Sequence, residues 1–575
     1  MCILSGLQKI EALSAVLKED KKPLETYERM ALHLNLVQFH MNKISNLSIL
    51  DSKKKAVEEI ATDIEKHIEG FFLEAVYNKD TLNLQKILRI YSIINQERAV
   101  ENYFRETVVK PFMRKLIKQE NISKYGLPKV YSDVLDFISS SCSTILHVTQ
   151  GIKRDIEIVP GYDFLVNAVW PELMLCLEYI SPVYIYAPGD PQRFHKNYTA
   201  SLNFLEQFEH HCGVQKSVTR LREHSLYKDF LKKWNLDVYY QIRFQEIAGK
   251  LESSLFEALE SPDETSSDFM LSATSALSLC LHLCWSENIF LMHLSASFCK
   301  LSLQLISRYI KWAHSIVKNG SLSEINAATL ITDVDALIQK IKVFPTETIS
   351  HKLCSTSLND YLETGFNEAV KLLEEIPPQV AKLTVQILIN KCSQHLKLIT
   401  DIPRLYRKTN REVPSKPSSY VTQVFNPLTE FISKTKSMLS DKWRFYCLEE
   451  AVEGIMKECI AVIHDVLTSI KKMEDSLKIL KRARDKPILG GPQSTGKVIT
   501  DDDKIRRQLA IDVYCMEEFV CVNYLFMFVM YCICNLILNV HFFSQVENLG
   551  LQVEDVKSFK ELKELVTSAE RIPVN

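Results

Sequence analysis

The segment GPQSTGK at Gly491 to Lys497 has the first seven positions of a phosphate-binding loop, in which backbone amides cradle phosphates and the lysine reaches the terminal ones. Val498 stands where a magnesium-binding Ser or Thr belongs. No strong strand precedes the glycines, and Asp501, Asp502 and Asp503 place negative charge where a nucleotide needs positive. These three failures of context favour a flexible linker over an ATPase using Lys497. Cys280, His282 and Cys284, or His210, His211 and Cys212, offer thiols and imidazoles at short spacing. Tetrahedral zinc needs four converging ligands, and neither set matches a finger or deaminase pattern, so buried thiols beside satisfied histidines are expected. Glu449 and Glu450 lie on a polar helix face, where solvation explains them better than acid-base work. The basic run KRARDK, Lys481 to Lys486, has the charge to touch anionic lipid, although a solvated helix end is the plainer reading. There is no Gly-x-Ser-x-Gly elbow, His-Glu-x-x-His helix or glycine-rich dinucleotide loop. The residues therefore predict no enzyme, no catalytic or cofactor-binding residue, no metal site and no small-molecule substrate.

The elements around these residues are helical throughout. Trp234 to Leu259 is representative. Asn235 can cap a helix, and Leu236, Tyr240, Phe244, Ile247, Leu251, Leu255 and Leu259 recur at three- and four-residue steps, which predicts a buried stripe. On this reading Trp234, Tyr240 and Phe244 lock neighbouring helices. Earlier in the chain, Leu7, Ile10, Leu13 and Leu17, then Leu32, Leu36, Phe39 and Ile44 after Pro23, repeat at near-heptad spacing, as the end of a coiled coil or a helical hairpin would. Helices are predicted over Lys53 to Tyr77, Thr81 to Tyr91, Glu97 to Lys118 with a kink at Pro111, and Pro128 to Val148. SPVYIYAPGD at Ser181 to Asp190 reads as a loop, as does REVPSKPSSY at Arg411 to Tyr420, and Pro377 and Pro378 break a helix. Val421 to Leu439 and Trp443 to Arg484 close the helical series.

Length forbids a single core: 575 residues exceed the roughly 250 to 300 at which one core stops growing. Only 15 glycines suit helices better than turn-rich sheets, and the absence of a fixed repeat disfavours solenoid arrays. The expected fold is all-α, an elongated rod of stacked irregular helical bundles. Its predicted parts are an N-terminal helical region over 1–158, a middle bundle over 159–320, a C-terminal bundle over 321–486, a flexible linker over 487–503 and a helical tail over 504–575. A formal charge of -2 gives no field that would select nucleic acid. The 15 cysteines fall inside apolar patterns, among them Cys176, Cys280, Cys284 and Cys299, as reduced buried thiols do. The N-terminus lacks a signal-peptide pattern, so the Asn-x-Ser/Thr triplets at Asn46, Asn121, Asn197 and Asn319 read as chance sequons.

One stretch opposes a soluble reading. FVCVNYLFMFVMYCICNLILNVHFF, Phe519 to Phe543, carries no acidic or basic residue and is long enough to cross hydrocarbon, though Asn523, Asn535, Asn539 and His541 are costly there.

Several long strings resemble one family. VPGYDFLVNAVWPEL (Val159 to Leu173), KKWNLDVYYQIRFQEIAGKLE (Lys232 to Glu252), DIPRLYRKTNREVP (Asp401 to Pro414), SIKKMEDSLKILKRAR (Ser469 to Arg484) and DDDKIRRQLAIDV near the C-terminus are similar to subunit 2 of the conserved oligomeric Golgi (COG) complex. The resemblance implies a helical, non-enzymatic vesicle-tethering subunit, peripheral on the cytosolic face of Golgi membranes and otherwise in the cytosol. It also implies partnership with COG subunits one, three and four, contact with SNARE and Rab machinery through the complex, and a role in intra-Golgi retrograde transport, hence in recycling glycosylation enzymes. Two departures from the family pattern are expected to matter. The family's N-terminal coiled-coil region is longer, which puts assembly through it in question, and the family runs almost directly from DDDKIRRQLAIDV to LGLQ. The apolar run between them reads as an altered splice or reading of the coding sequence. The alternative is a tail-anchored helical membrane adaptor outside any tethering complex.

Overall fold

The computed structural model describes residues 8, 12, 23–42, 49–150, 158–256, 268–320, 322–353, 356–407, 409–484, 500–516 and 519. The phosphate-loop-like segment, and all of the apolar run except Phe519, lie outside them. Among the described residues there is no strand, and no helix is long and apolar enough to cross a membrane. The all-α expectation holds.

Local chemistry sets the helix ends. Asp80, Asp190 and Ser323 each cap a helix by accepting the amide of Asn83, Arg193 or Asn326 at 3.1 to 3.2 Å. Pro377 and Pro378 stand in the first turn of Ile376–Leu396, where a missing N–H leaves no partner unsatisfied. Pro182 likewise starts a short helix, Pro182–Ile185, inside the segment read as a loop. The predicted helices are otherwise found within a few residues, as Ile49–Tyr77, Thr81–Ile93, Tyr420–Thr435 and Asp441–Arg484, except that the one expected over Pro128 to Val148 is broken at Ser141 and Cys142 into Leu127–Ser140 and Ser143–Gln150.

The kink expected at Pro111 takes a particular form. Arg105–Val109 is a π turn in which the Lys110 amide reaches back to the Arg105 carbonyl, and Pro111 follows at once. The wider turn gives room to a proline ring that would clash with the preceding turn of a regular α-helix. A second copy of this device occurs at Leu165–Val169, where Trp170 donates to the Leu165 carbonyl and Pro171 comes next. Phe104 and Phe164, the residues just before each π turn, meet edge to face at 5.5 Å.

The chain divides into two compact units, residues 1–246 with 286–294, and residues 247–285 with 295–575; the division falls within the helix Leu236–Phe256. In the first unit the core centres on aromatic side chains. Trp170 is fully buried against Phe208, Tyr227 and Phe230, while Trp234 is ringed by Tyr186, Phe194, Tyr198 and Phe230. In the second unit Ile376–Leu396 packs on Asp441–Arg484 so closely that a Cβ on Gly454 would clash with Ile389 Cδ1. Asp333 opens the helix Ser272–Cys284 by accepting the amides of Met270 and Leu271 at 2.9 and 2.7 Å.

The stripe predicted on Leu236–Phe256 is right only in its second half. Ile247, Leu251 and Leu255 are buried, but ahead of them the buried row is Tyr239 and Arg243, while Leu236 and Tyr240 are half-buried and Phe244 is exposed. The reason lies in Arg243. Its charge marked it for the surface, yet its guanidinium sits 5.5 Å above the Tyr239 ring and its Nη1 pairs with Glu246 at 2.8 Å. Tyr239 in turn stacks on Phe194 and donates to the Ile289 carbonyl at 2.7 Å. Phe244→Ala is therefore expected to cost about 0.5 kcal/mol or less, as exposed substitutions do, whereas Tyr239→Ala should cost about 3–5 kcal/mol. Equal shifts of the two thermal-unfolding midpoints would refute this face assignment.

Candidate functional site

None of the chemically suggestive residues among those described assembles a reactive centre. Cys280 and Cys284 are buried, and burial pushes their thiols up to about 11 and about 12 respectively. Such thiols stay protonated and inert at neutral pH. Burial also holds His282 and His211 below the usual imidazole range, with Lys340 and His210 respectively adding to the effect. Among the described residues no three His, Cys, Asp or Glu side chains are placed to hold a metal ion. Glu449 and Glu450 are exposed, as their polar helix face predicts. Asn197, one of the four sequons, is buried and donates to the carbonyls of Tyr184 and Ile185 at 3.1 and 3.2 Å, so its amide serves the fold.

Two buried polar clusters do stand out, and both were missed from sequence. The first lies beside the paired π turns. Glu101 accepts the Asp163 amide at 2.6 Å through one oxygen and the Asn167 side chain at 2.8 Å through the other. Asp163 accepts the Ser217 hydroxyl, 2.7 Å from each of its oxygens, and pairs with Arg220 at 3.5 Å. Glu172, one residue after Pro171, faces Arg105 at 3.0 Å and Arg114 at 4.0 Å. Burial raises both the Glu101 and the Asp163 carboxyls above their usual range, and the hydrogen bonds just described only partly oppose it. The satisfied donors and acceptors leave no open position for a substrate. The arrangement fixes the VPGYD turn, whose Gly161 has φ +106 and whose Tyr162 hydroxyl donates to the Leu88 carbonyl at 2.5 Å.

The second cluster brings three of the quoted strings together. A helix at 501–516 begins with Thr500 and Asp503 capping one another, so the three aspartates beside the glycine-rich segment form a helix first turn, where negative charge suits the dipole. Its side chains then hold the segment that follows DIPRLY. Tyr406 donates to Gln508 Oε1 at 2.6 Å, Gln508 Nε2 donates to the Lys416 carbonyl at 3.0 Å, and Lys504 Nζ to the Arg411 carbonyl at 2.8 Å. Asp512, wholly buried, accepts the Ser418 amide and hydroxyl, both at 2.7 Å, and Gln508 Nε2 at 2.8 Å. Burial raises its carboxyl above the usual range against those three donors. Arg506 meets Glu474 of SIKKMEDSLKILKRAR at 3.0 Å. A signal for this cluster existed: Ile505, Leu509, Asp512 and Met516 follow 4-3-4 spacing, which puts a carboxylate on the core stripe.

What both clusters can do is hold helices and a loop in register. Likeness to known proteins points to a family. Residues 232–513, which contain the second cluster, match the family described as COG complex component, COG2, C-terminal. The chain is 31% identical over 637 aligned residues to conserved oligomeric Golgi complex subunit 2 of Homo sapiens, covering 99% of this chain and 82% of that protein. Similarity to the Drosophila melanogaster subunit 2 is 31% over 543 residues, 90% of this chain and 74% of that protein. For the Arabidopsis thaliana subunit 2 it is 28% over 517 residues, 84% and 68%. Identity at this level over most of both sequences, with all-helical units and three of the quoted strings packed together, establishes that the chain belongs to the family of conserved oligomeric Golgi complex subunit 2.

Proposed function

We propose that the chain works as a non-enzymatic subunit of a Golgi vesicle-tethering complex, seated peripherally on the cytosolic face of the Golgi membrane. The observation that carries this reading is the 31% identity with the human subunit across 82% of its length. Two structural facts support a scaffold: the buried carboxylates are spent on internal bonds, and large aromatic side chains lock the helices. Partners are bound by helix-to-helix docking, with COG subunits one, three and four as the direct neighbours and SNARE and Rab machinery reached through the assembled complex. The task served is intra-Golgi retrograde transport, and with it Golgi organisation and the recycling of glycosylation enzymes. The division into parts at 158, 320, 486 and 503 is the arrangement we propose for these contacts, with 1–158 nearest the sister subunits.

Purification of the chain at native expression tests the reading. Recovery of the sister subunits at equal stoichiometry is the expected result; their absence would defeat the proposal. Alkaline carbonate extraction addresses the apolar run separately: release to the supernatant is expected, and retention in the membrane pellet would favour the tail-anchored adaptor.

A further inference from the structure

The helix Asp441–Arg484 outlasts the bundle that holds it. Val466 and Ile470 are its last buried residues, and from 471 to 480 every side chain is exposed except Glu474. Met473, Leu477 and Leu480 continue the apolar stripe of Val466 and Ile470 at 4-3-4-3 spacing, but they are 45%, 50% and 60% exposed; Ile479 is 67% exposed. An exposed leucine alone means little, whereas an exposed stripe that runs on for about two turns from a buried one marks a surface meant to be covered. The remaining positions are strongly basic. Residues 471–484 contain Lys471, Lys472, Lys478, Lys481, Arg482 and Arg484 against two acids only. Both acids are engaged by cations, Glu474 with Arg506 at 3.0 Å and Asp475 with Lys478 at 3.3 Å.

We propose that the exposed end of this helix, 471–480, forms an anionic-lipid contact, with Met473, Leu477 and Leu480 entering the headgroup boundary and Lys471, Lys472 and Lys478 meeting lipid phosphates, while the sequence of the same helix adds the charge of Lys481, Arg482 and Arg484. This rests on the membrane-peripheral reading above and names a surface for it. A helix with an apolar stripe and a Lys/Arg-rich remainder is the physical form of an interfacial anchor, and each basic residue near such a surface adds attraction that salt screens. Fourteen helical residues span about 21 Å, enough for one shallow anchor. The charge excess decides between occupants: the 4-3-4-3 stripe also suits a partner helix, but six basic residues against two acids leave a net positive field over 471–484 that selects an extended anionic surface.

The test uses the full chain in vesicle flotation, comparing phosphatidylcholine vesicles with vesicles containing about 30% phosphatidylserine. Leu477→Asp with Leu480→Asp removes the stripe, and Lys471→Glu with Lys472→Glu and Lys478→Glu reverses charge on the same exposed helix; neither variant should move the thermal-unfolding midpoint. Expected is flotation with the anionic vesicles only, reduced about tenfold or more by either variant and by raising salt from about 0.1 M to about 1 M, which shortens the screening length from about 10 to about 3 Å. Equal flotation of wild type on neutral vesicles with no loss in either variant would overturn the proposal. Retained flotation with loss of sister subunits from the Leu477→Asp, Leu480→Asp variant would also overturn it, in favour of a partner helix. So would amides at 549–566 exchanging faster in that variant while flotation persists, which would make the occupant the chain's own C-terminal segment. Failure of the tethering reading is distinct, since it is read from wild-type co-purification and not from flotation.

Discussion

Trp170→Ala is expected to destabilise the first unit by about 3–5 kcal/mol, the range for emptying a fully buried tryptophan site. Trp170 has no exposed surface and lies 5.5, 5.6 and 6.2 Å from the rings of Phe208, Tyr227 and Phe230. Those rings come from two separate helices, Phe208 from Pro191–His211 and the other two from Ser225–Lys232, both closing on Trp170–Glu178. Losing the indole leaves a cavity they cannot fill without moving together. The indole N–H has no hydrogen-bond partner among the described residues, so Trp170→Phe, which keeps a ring and drops a buried donor, should cost much less. Urea unfolding followed by far-ultraviolet circular dichroism separates the two variants. A midpoint for Trp170→Ala matching wild type would mean that this ring cluster does not hold the unit.

A second large effect is expected at Asp512. Removing its carboxylate in Asp512→Ala strands one buried Gln508 N–H and the half-buried Ser418 amide and hydroxyl; a buried donor left unpaired costs about 1–3 kcal/mol, and a half-buried one that water can reach costs less. Part of that loss is offset, because burial already disfavours the charged carboxylate; a net cost of about 2–5 kcal/mol is expected. The loss should be local at first. Amide hydrogen exchange across 411–419 is expected to speed by more than about tenfold, since about 1.4 kcal/mol corresponds to a factor of ten in the opening equilibrium. Asp512→Asn, which keeps one acceptor oxygen, should fall between. Unchanged protection of 411–419 in the alanine variant would show that the loop is held by Gln508 and Lys504 without it.

These two sites also mark the limit of what the sequence made legible. The helices and their breaks follow from three- and four-residue spacing and from proline and glycine, so Ile49–Tyr77 or Asp441–Arg484 could be drawn to within a few residues. Facing is harder. Leu236, Tyr240 and Phe244 make one row with four-residue steps, and Tyr239, Arg243 and Ile247 make another one residue away. Only the ring of Tyr239 and the carboxylate of Glu246 explain why the row with an arginine is the one turned inward. The partners within the polar clusters were out of reach for a different reason, even though 4-3-4 spacing places Asp512 on a core stripe. Glu101 and Asp163 lie 62 residues apart, and Ser418 and Asp512 lie 94 apart, so their bonds depend on tertiary proximity that no local period encodes. The family strings, by contrast, were legible as words, and the structure shows three of them bound to one another around the helix at 501–516.

The paired π turns carry a consequence for length variation in this chain. The one at Arg105–Val109 inserts one residue into a helix that would otherwise run straight through from Glu97 to Leu116, and so rotates everything after it by about 100° relative to what precedes it; the one at Leu165–Val169 opens its helix directly after Phe164. Deleting any single residue of 105–109 would restore a regular α-helix, but Met113 and the rest of the downstream core row would then turn toward solvent, and Pro111 would meet the turn before it. Insertions and deletions are commonly assigned to loops; here a mid-helix stretch, 105–109, is predicted to be among the positions least tolerant of either.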